Sequence, residues 1–244
     1  MEAPGVRAAA VAADAAADAV ATPGCPLCAE PSPRSHHADA AREYLRCARC
    51  ALVFLRPADR IPPLAEVMRY LEHRNSGDDP GYVEFLSRLA DPVAARLAPG
   101  ARGLDFGCGP APVLARILAD RGFPCTSYDP LFHPDERALD ARYDFVTCSE
   151  VIEHVHEPRV LLDRFARLVV PGGVIGIMTR FHGLEAPFAR WWYRRDPTHV
   201  CFYDATTMGW IAAAYGWTLE IPRDHVALFR TGRETPAGGG RRRS

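Results

Sequence analysis

The segment that most constrains the fold is a short apolar run that ends in two glycines two positions apart. It spans residues 104–109, with the sequence LDFGCG, and an apolar, helix-like stretch begins soon after it at Val113. Glycine permits a tight turn from a strand into a helix, and it lets a ligand approach the backbone because no Cβ is in the way. The segment therefore predicts a buried strand, a ligand-binding loop and a helix.

Beyond residue 102, apolar runs typical of strands alternate with helix-like stretches as far as residue 179. This alternation predicts an α/β fold in which helices cover a mostly parallel sheet. The last two runs, 217–221 and 226–229, flank a turn-forming segment and predict an antiparallel hairpin at the C-terminal end of the sheet. Only 14 residues separate Asp129 from Asp144, too few for a helix and a complete strand.

Asp129 follows the second predicted strand, 20 residues after Gly109. In nucleotide-binding α/β folds, an acid at this place accepts hydrogen bonds from ribose hydroxyls. Asp105 can accept hydrogen bonds from the loop or from an amino group of the ligand. The alternatives are a plain strand-to-helix turn and a dinucleotide site, although a dinucleotide site needs a third glycine where this chain has Pro112.

Two carboxylates and an imidazole follow the strand predicted at residues 145–148, as Glu150, Glu153 and His154. On a helix, residues three and four positions apart share a face. Such a group could bind a divalent cation, orient a substrate hydroxyl or act as a general base. The alternative is that Glu153 and His154 only cap and brace the next helix.

His199 is a second candidate for proton transfer. It follows residues 188–195, a stretch rich in aromatic and basic side chains that we expect to cover the active site. A histidine titrates near neutral pH and can remove a proton from a hydroxyl or an amine. A purely structural, hydrogen-bonding role is the alternative interpretation.

Four of the eight cysteines form two Cys-x-x-Cys pairs separated by 18 residues. A gap of about 15 to 20 residues between such pairs is typical of a structural zinc site with four thiolate ligands. The predicted ligands are Cys25, Cys28, Cys47 and Cys50. Residues 23–60 are therefore predicted to form a small zinc ribbon, which an apolar strand within 51–57 completes.

Charge and composition indicate a globular protein without a membrane span. The formal net charge is -1, so no general attraction to nucleic acid or anionic membrane is expected. No apolar run approaches the roughly 20 residues that cross a bilayer, and a cytoplasmic location is the default expectation. Residues 1–22 and 232–244 are predicted to be disordered tails, and residues 61–98 a helical linker.

Three segments carry a family resemblance: 104–109, 143–155 and 170–173. Together they resemble class I S-adenosylmethionine-dependent methyltransferases, above all the ubiquinone-biosynthesis O-methyltransferase group. The resemblance implies a Rossmann-like domain over residues 99–231 and a divalent cation, magnesium in that group, at Glu150, Glu153 and His154. It also implies an S-adenosylmethionine site, to which it assigns Asp105, Gly107, Gly109 and Asp129, with Cys148 and Ser149 beside the methyl donor.

Three functions are compatible with these features. The favoured one is methyl transfer to an oxygen, rather than a nitrogen, of a small molecule, with His199, His154 and Glu150 as candidate catalytic residues. The second is RNA methylation in which the zinc module contacts RNA; the charge balance and the lack of an Asn/Asp-Pro-Pro-Tyr motif argue against it. The third is a non-catalytic zinc-ribbon binding protein. The oligomeric state is not encoded in any pattern found.

Overall fold

Two β-sheets organise the chain in the computed structural model, which describes residues 24–72 and 79–232. The strands in chain order are β1 (Arg34–Ala38), β2 (Glu43–Arg46), β3 (Val53–Leu55), β4 (Gly103–Phe106), β5 (Cys125–Tyr128), β6 (Tyr143–Ser149), β7 (Val169–Met178), β8 (Cys201–Phe202), β9 (Thr218–Arg223) and β10 (Val226–Arg230). The helices are α1 (Pro63–Leu71), α2 (Pro80–Ala94), α3 (Val113–Asp120), α4 (Pro158–Leu168) and α5 (Ala205–Tyr215). The predicted disordered tails lie, apart from residue 232, outside the described residues.

The larger sheet has the strand order β5-β4-β6-β7-β10-β9. Strands β5, β4, β6 and β7 run parallel, whereas β10 pairs antiparallel with both β7 and β9. The predicted α/β class, the mostly parallel sheet and the C-terminal hairpin are confirmed. Strand β7 begins at Val169, and its pairing with β6 shifts register between Tyr143 and Phe145.

The connection between β5 and β6 is short, as the spacing of Asp129 and Asp144 predicts. Within it the structure places one turn of 3₁₀ helix, Glu136–Leu139, and no strand. Strand β5 is consequently an edge of the larger sheet.

Helices cover both faces of the larger sheet. Along β7, Val174 and Met178 face an apolar cluster with α2 and α3, whereas Ile175 and Ile177 face a second cluster with α4 and α5. This alternation follows from the two-residue period of a strand. Helix α2 lies within the segment predicted as a linker, yet it packs on the sheet. It lies so close to β7 that a Cβ at Gly176 would be 2.7 Å from Val93 Cγ2. None of the helices in the described ranges is long and apolar enough to cross a membrane.

The smaller sheet joins the cysteine-rich segment to the rest of the chain. Its order is β1-β2-β3-β8, so three strands of residues 34–55 are completed by a strand from residues 201–202. Val53 pairs with Phe202, and the Leu55 backbone N–H donates to the Val200 carbonyl at 2.9 Å. The predicted strand within 51–57 is β3. It closes the small sheet and also attaches it to the larger domain.

A buried carboxyl group, Asp105, connects two central strands. Its side chain is 3% exposed, and Oδ1 accepts a hydrogen bond of 2.9 Å from Thr147 Oγ1, which links β4 to β6. Burial raises the pKa of Asp105 to about 7, because desolvation disfavours the charged form. The protein therefore holds this carboxyl mostly protonated below neutral pH.

This pKa predicts how stability changes with pH. The unfolded-state pKa of an aspartate is about 3.9, so between that pH and about 7 the unfolded chain releases a proton that the folded chain retains. Stability should fall as the pH rises through this window, by at most about 1.4 kcal/mol per pH unit from this group. Urea unfolding at about pH 4.5, in the lower part of this window, and at about pH 8, above it, should show this contribution in the wild type but not in Asp105→Asn.

Asp140→Asn is the matched control, because Asp140 is exposed and its substitution should leave the wild-type pH dependence in place. Identical pH slopes for the wild type and Asp105→Asn would contradict the assignment of a raised pKa to Asp105.

Candidate functional site

The loop after β4 is held open by its two glycines. Gly107 and Gly109 have φ angles of 74° and 67°, values that disfavour residues with a Cβ. A Cβ at Gly107 would lie 2.5 Å from Val151 Cγ2, whereas a Cβ at Gly109 would meet nothing within 4 Å. The backbone at Gly109 therefore borders open space, which a ligand can enter.

Asp129 is fixed beside this loop by backbone amides. Its Oδ2 accepts a hydrogen bond of 3.1 Å from the Gly109 N–H, and its Oδ1 accepts from Leu131 and Phe132 at 2.9 and 3.0 Å. The carboxylate is held in one orientation, and Oδ2, which accepts only one of these three hydrogen bonds, retains acceptor capacity for a ligand hydroxyl. Because β4 and β5 are parallel neighbours, their ends bring Gly109 and Asp129 together.

A single cavity of about 1120 Å³ adjoins this loop. Four of the six residues predicted to bind the methyl donor line it, namely Gly107, Gly109, Asp129 and Ser149. The other two, Asp105 and Cys148, do not line the cavity; both are buried in the sheet behind it. The Ser149 hydroxyl is buried and has no hydrogen-bond partner among the described residues, so it is available to a ligand.

The same cavity is lined by Glu153, His154 and His199. Their ligand-capable atoms all lie within 4.8 Å of one another. His154 and His199 are 45 positions apart in the chain, and their ring centroids are 4.6 Å apart. We call these three residues the Glu-His-His cluster.

Backbone carbonyls orient both imidazoles of this cluster. His154 Nδ1 lies 3.1 Å from the Thr198 carbonyl oxygen, and His199 Nδ1 lies 2.7 Å from the Tyr193 carbonyl oxygen. A carbonyl only accepts, so each Nδ1 carries the proton and each Nε2 keeps its lone pair. Burial lowers the pKa of His199, which keeps its ring neutral at pH 7.

Glu153 and Glu150 share one tyrosine hydroxyl. The hydroxyl of Tyr193 lies 2.5 Å from Glu153 Oε1 and 3.0 Å from Glu150 Oε2. Burial, together with the nearby Glu153 carboxylate, raises the pKa of Glu150 to about 8. Of the two carboxyl groups, Glu150 therefore holds a proton at neutral pH, and the tyrosine connects it to Glu153.

The expectation that Glu150, Glu153 and His154 share one helical face is wrong. Residues 152–154 form a single 3₁₀ turn, and Glu150 precedes it with a left-handed φ of 52°. His199, from a distant segment, joins Glu153 and His154 instead. Sequence spacing could not show the contact of His199 with Glu153 and His154, because it depends on the tertiary structure. A backbone hydrogen bond of 2.8 Å from Val200 N to Glu153 O joins the two segments.

The aromatic segment 188–195 covers the cavity only in part. Phe188 and Trp191 are buried in the core, whereas the buried Tyr193 and the 55% exposed Trp192 both line the cavity. The amino-acid sequence did not distinguish Tyr193 from the other aromatic residues of this segment, although its hydroxyl contacts both Glu150 and Glu153. Arg194 points away from the site and forms an ion pair of 2.9 Å with Asp39.

The cysteine-rich segment supports the backbone of this site. Tyr44 on β2 donates a hydrogen bond of 3.1 Å to the Arg194 carbonyl, next to Tyr193. Strand β3 pairs with β8, which begins two residues after His199. The four predicted zinc ligands are grouped, with Sγ atoms 3.5 Å apart for Cys25 and Cys50 and 3.4 Å apart for Cys28 and Cys47.

Two curated relatives share sequence with part of the chain. The ubiquinone biosynthesis O-methyltransferase of Proteus mirabilis is 34% identical over 85 residues, 35% of this chain and 35% of that protein. The enzyme of the same name from Xanthomonas campestris pv. campestris is 33% identical over 114 residues, 36% of this chain and 47% of that protein. The chain thus spans less than half the length of the curated relatives it matches.

Two solved structures from Burkholderia thailandensis resemble the chain. An O-methyltransferase family protein has a TM-score of 0.48 at 16% identity, covering 70% of this chain and 64% of that one. The 1,6-didemethyltoxoflavin-N1-methyltransferase, solved with its substrate and S-adenosylhomocysteine, has a TM-score of 0.48 at 14% identity, covering 82% of this chain and 99% of that one.

A family model described as a methyltransferase domain matches residues 70–220. That range contains the glycine loop, Asp129, the Glu-His-His cluster and helix α2. The resemblance noted from three sequence segments is confirmed, and since the match extends over more than half of its residues, the chain belongs to the methyltransferase domain family.

Proposed function

We propose that this protein transfers the methyl group of S-adenosylmethionine to a hydroxyl oxygen of a small-molecule acceptor. One observation carries the proposal. The cavity of about 1120 Å³ is lined on one part by the glycine loop and Asp129, which suit a nucleoside, and on another part by the Glu-His-His cluster, whose side chains can accept a proton. Ligand pockets for one small molecule are about 300–1,000 Å³, so this cavity has room for a donor together with an acceptor.

The donor is assigned to the glycine loop. Open backbone at Gly109 allows close approach, and the Asp129 carboxylate, fixed by three amides, can accept hydrogen bonds from ribose hydroxyls. Ser149 offers an unpartnered hydroxyl in the same cavity. Asp105 acts behind the loop by joining β4 to β6, and Cys148 supplies packing without touching the donor.

The acceptor is assigned to the side of the cavity where aromatic residues meet the Glu-His-His cluster. Two aromatic side chains that line the cavity lie on this side: the Tyr70 ring centroid is 5.4 Å from that of His154, and the Trp192 ring centroid is 5.5 Å from that of Tyr193. Aromatic walls contribute apolar contact and can stack on a planar ring. A small planar molecule that carries a hydroxyl fits this lining.

The reaction itself needs orientation and proton removal. The acceptor oxygen attacks the methyl carbon, the carbon–sulfur bond breaks with its electron pair going to sulfur, and the hydroxyl proton leaves. Holding the two molecules in line supplies much of the rate. The free Nε2 atoms of His154 and His199, with Glu153, provide the basic surroundings in which the hydroxyl loses its proton. Glu150 is connected to Glu153 through the Tyr193 hydroxyl, which lies within hydrogen-bonding distance of both carboxyl groups.

Oxygen is favoured over nitrogen as the attacking atom for two reasons. The curated relatives at 33–34% identity are named as O-methyltransferases. A neutral hydroxyl is a weak nucleophile until its proton is removed, and the Glu-His-His cluster places proton acceptors in the cavity to meet that need.

We also propose that the four grouped cysteines hold one structural zinc ion. All four Sγ atoms lie within 4.8 Å of one another, a spacing that tetrahedral bonds of about 2.3 Å can close. The bound zinc would fix the small sheet, and through β3 and β8 it would support the backbone beside His199.

The donor assignment predicts the behaviour of Asp129→Ala. Loss of the carboxylate should weaken binding of S-adenosylhomocysteine by roughly a hundredfold, about 3 kcal/mol, as expected for hydrogen bonds to a charged group. Calorimetry on folded, ligand-stripped protein checks this, with Asp140→Ala as a control outside the cavity. Absence of any binding heat in the wild type would refute the donor assignment.

The acceptor assignment predicts that His199→Gln lowers kcat for methyl transfer by roughly a hundredfold while the affinity for S-adenosylmethionine stays unchanged, since proton transfer contributes at least this much. A screen with tritium-labelled methyl donor against metabolite and RNA fractions identifies the acceptor class. His133→Gln is the control, because His133 does not line the cavity. Label in RNA, or full activity of His199→Gln, would contradict the proposal.

The zinc assignment predicts one thiolate-bound zinc ion per chain, so elemental analysis should find at least one. Cys47→Ser should lose that ion, because three thiolates leave the tetrahedral site incomplete. Cys125→Ser should retain it, since Cys125 lies on β5, outside the cysteine group. A zinc-free wild type, or full zinc content in Cys47→Ser, would rule the assignment out.

A further inference from the structure

We infer that Glu153, His154 and His199 form a second metal site, of the two-histidine, one-carboxylate type, for a divalent transition-metal ion in the cavity. The inference rests on the proposed function, because it concerns the place where the acceptor hydroxyl is assigned. With the metal bound, Glu153 and the two Nε2 atoms would hold the ion, and the ion would replace them as the group that promotes loss of the hydroxyl proton. It replaces the ligand set Glu150, Glu153 and His154 that the family resemblance implies.

The first argument is the orientation of both histidines. Each ring donates Nδ1–H to a backbone carbonyl, of Thr198 for His154 and of Tyr193 for His199. Metal-binding histidines characteristically donate the second ring nitrogen in this way, which fixes the ring and makes the other nitrogen more basic. Both Nε2 lone pairs are thereby left for a shared ligand.

The second argument is the charge of Glu153. Its side chain is fully buried, and Oε2 has no hydrogen-bond partner among the described residues. A buried carboxylate is costly unless a cation or several donors compensate it. No arginine in the described ranges forms an ion pair with Glu153, and its nearest basic group, His154 Nε2, is 4.0 Å from Oε1. A divalent cation would supply the missing positive charge.

The distances permit such a site after a small adjustment. The ligand atoms lie within 4.8 Å of one another, whereas neighbouring ligands of a metal with bonds of about 2.1 Å are roughly 3 to 3.5 Å apart. Side-chain rotations that move each atom by about 1 Å would close the difference. Glu150 stays outside the group, at the far side of the Tyr193 hydroxyl.

The ligand types indicate which metal binds. Two imidazoles and one carboxylate suit Zn²⁺, Fe²⁺, Co²⁺ or Mn²⁺, whereas Mg²⁺ prefers oxygen ligands alone. Three protein ligands leave coordination positions open toward the cavity. An acceptor hydroxyl bound there would have a lowered pKa, its proton would pass to water, and its oxygen would remain as the nucleophile.

The test uses the full-length protein with its four-cysteine site already loaded with zinc and then titrated with Co²⁺. Proton NMR should show two strongly shifted, exchangeable resonances, from the Nδ1–H groups of His154 and His199. His154→Gln and His199→Gln should each lose one of them, and the control His133→Gln should keep both. Glu153→Gln should weaken Co²⁺ binding by at least tenfold.

Two outcomes would overturn the inference: no shifted resonances in the wild type, or both resonances unchanged in His154→Gln and His199→Gln. Calorimetry with S-adenosylhomocysteine on the same samples separates this failure from failure of the proposed function. Absent Co²⁺ signals with normal nucleoside binding would leave a metal-free proton-transfer cluster. Absent nucleoside binding would instead refute the methyltransferase proposal, whatever the Co²⁺ result.

Discussion

The parallel pairing of β4 with β5 and β6 is the constraint on which the site depends. Neighbouring parallel strands end at the same edge, so the glycine loop after β4, Asp129 after β5 and Ser149 at the end of β6 meet there. The Asp105–Thr147 hydrogen bond links β4 and β6 within the core. With this pairing fixed, the part of the cavity assigned to the methyl donor needs only short loops to complete it.

The other part of the cavity depends on contacts between distant segments. Glu153 follows β6, but His199 comes from the segment before β8, and the Val200–Glu153 backbone hydrogen bond joins them. Strand β8 is in turn the fourth strand of the small sheet. The cysteine-rich segment thus packs into the same apolar core as the catalytic domain and holds the chain beside His199. A structural metal in that segment would stabilise the site from outside the cavity.

Buried polar groups are concentrated at this junction. Glu150, Glu153, Tyr193 and His199 are packed together, with Glu150 in a left-handed backbone conformation. Such arrangements cost free energy and persist where the surrounding structure holds them, most often at functional sites. Burial of Glu150 beside Glu153 is compatible with this arrangement because the pKa of Glu150 is raised to about 8, which keeps the Glu150 carboxyl protonated at neutral pH.

Features that depend on local pattern could be predicted from the amino-acid sequence alone. Gly107 and Gly109 indicated the loop, the apolar runs indicated the parallel sheet and hairpin, and the two Cys-x-x-Cys pairs indicated that four thiols would meet, because turn geometry and side-chain period act over a few residues. The folded chain was needed to show that Glu153 and His154 meet His199 rather than Glu150. It also showed that Asp105 lies behind the cavity and that β8 completes the small sheet. These outcomes depend on packing between segments far apart in the chain, which no local pattern encodes.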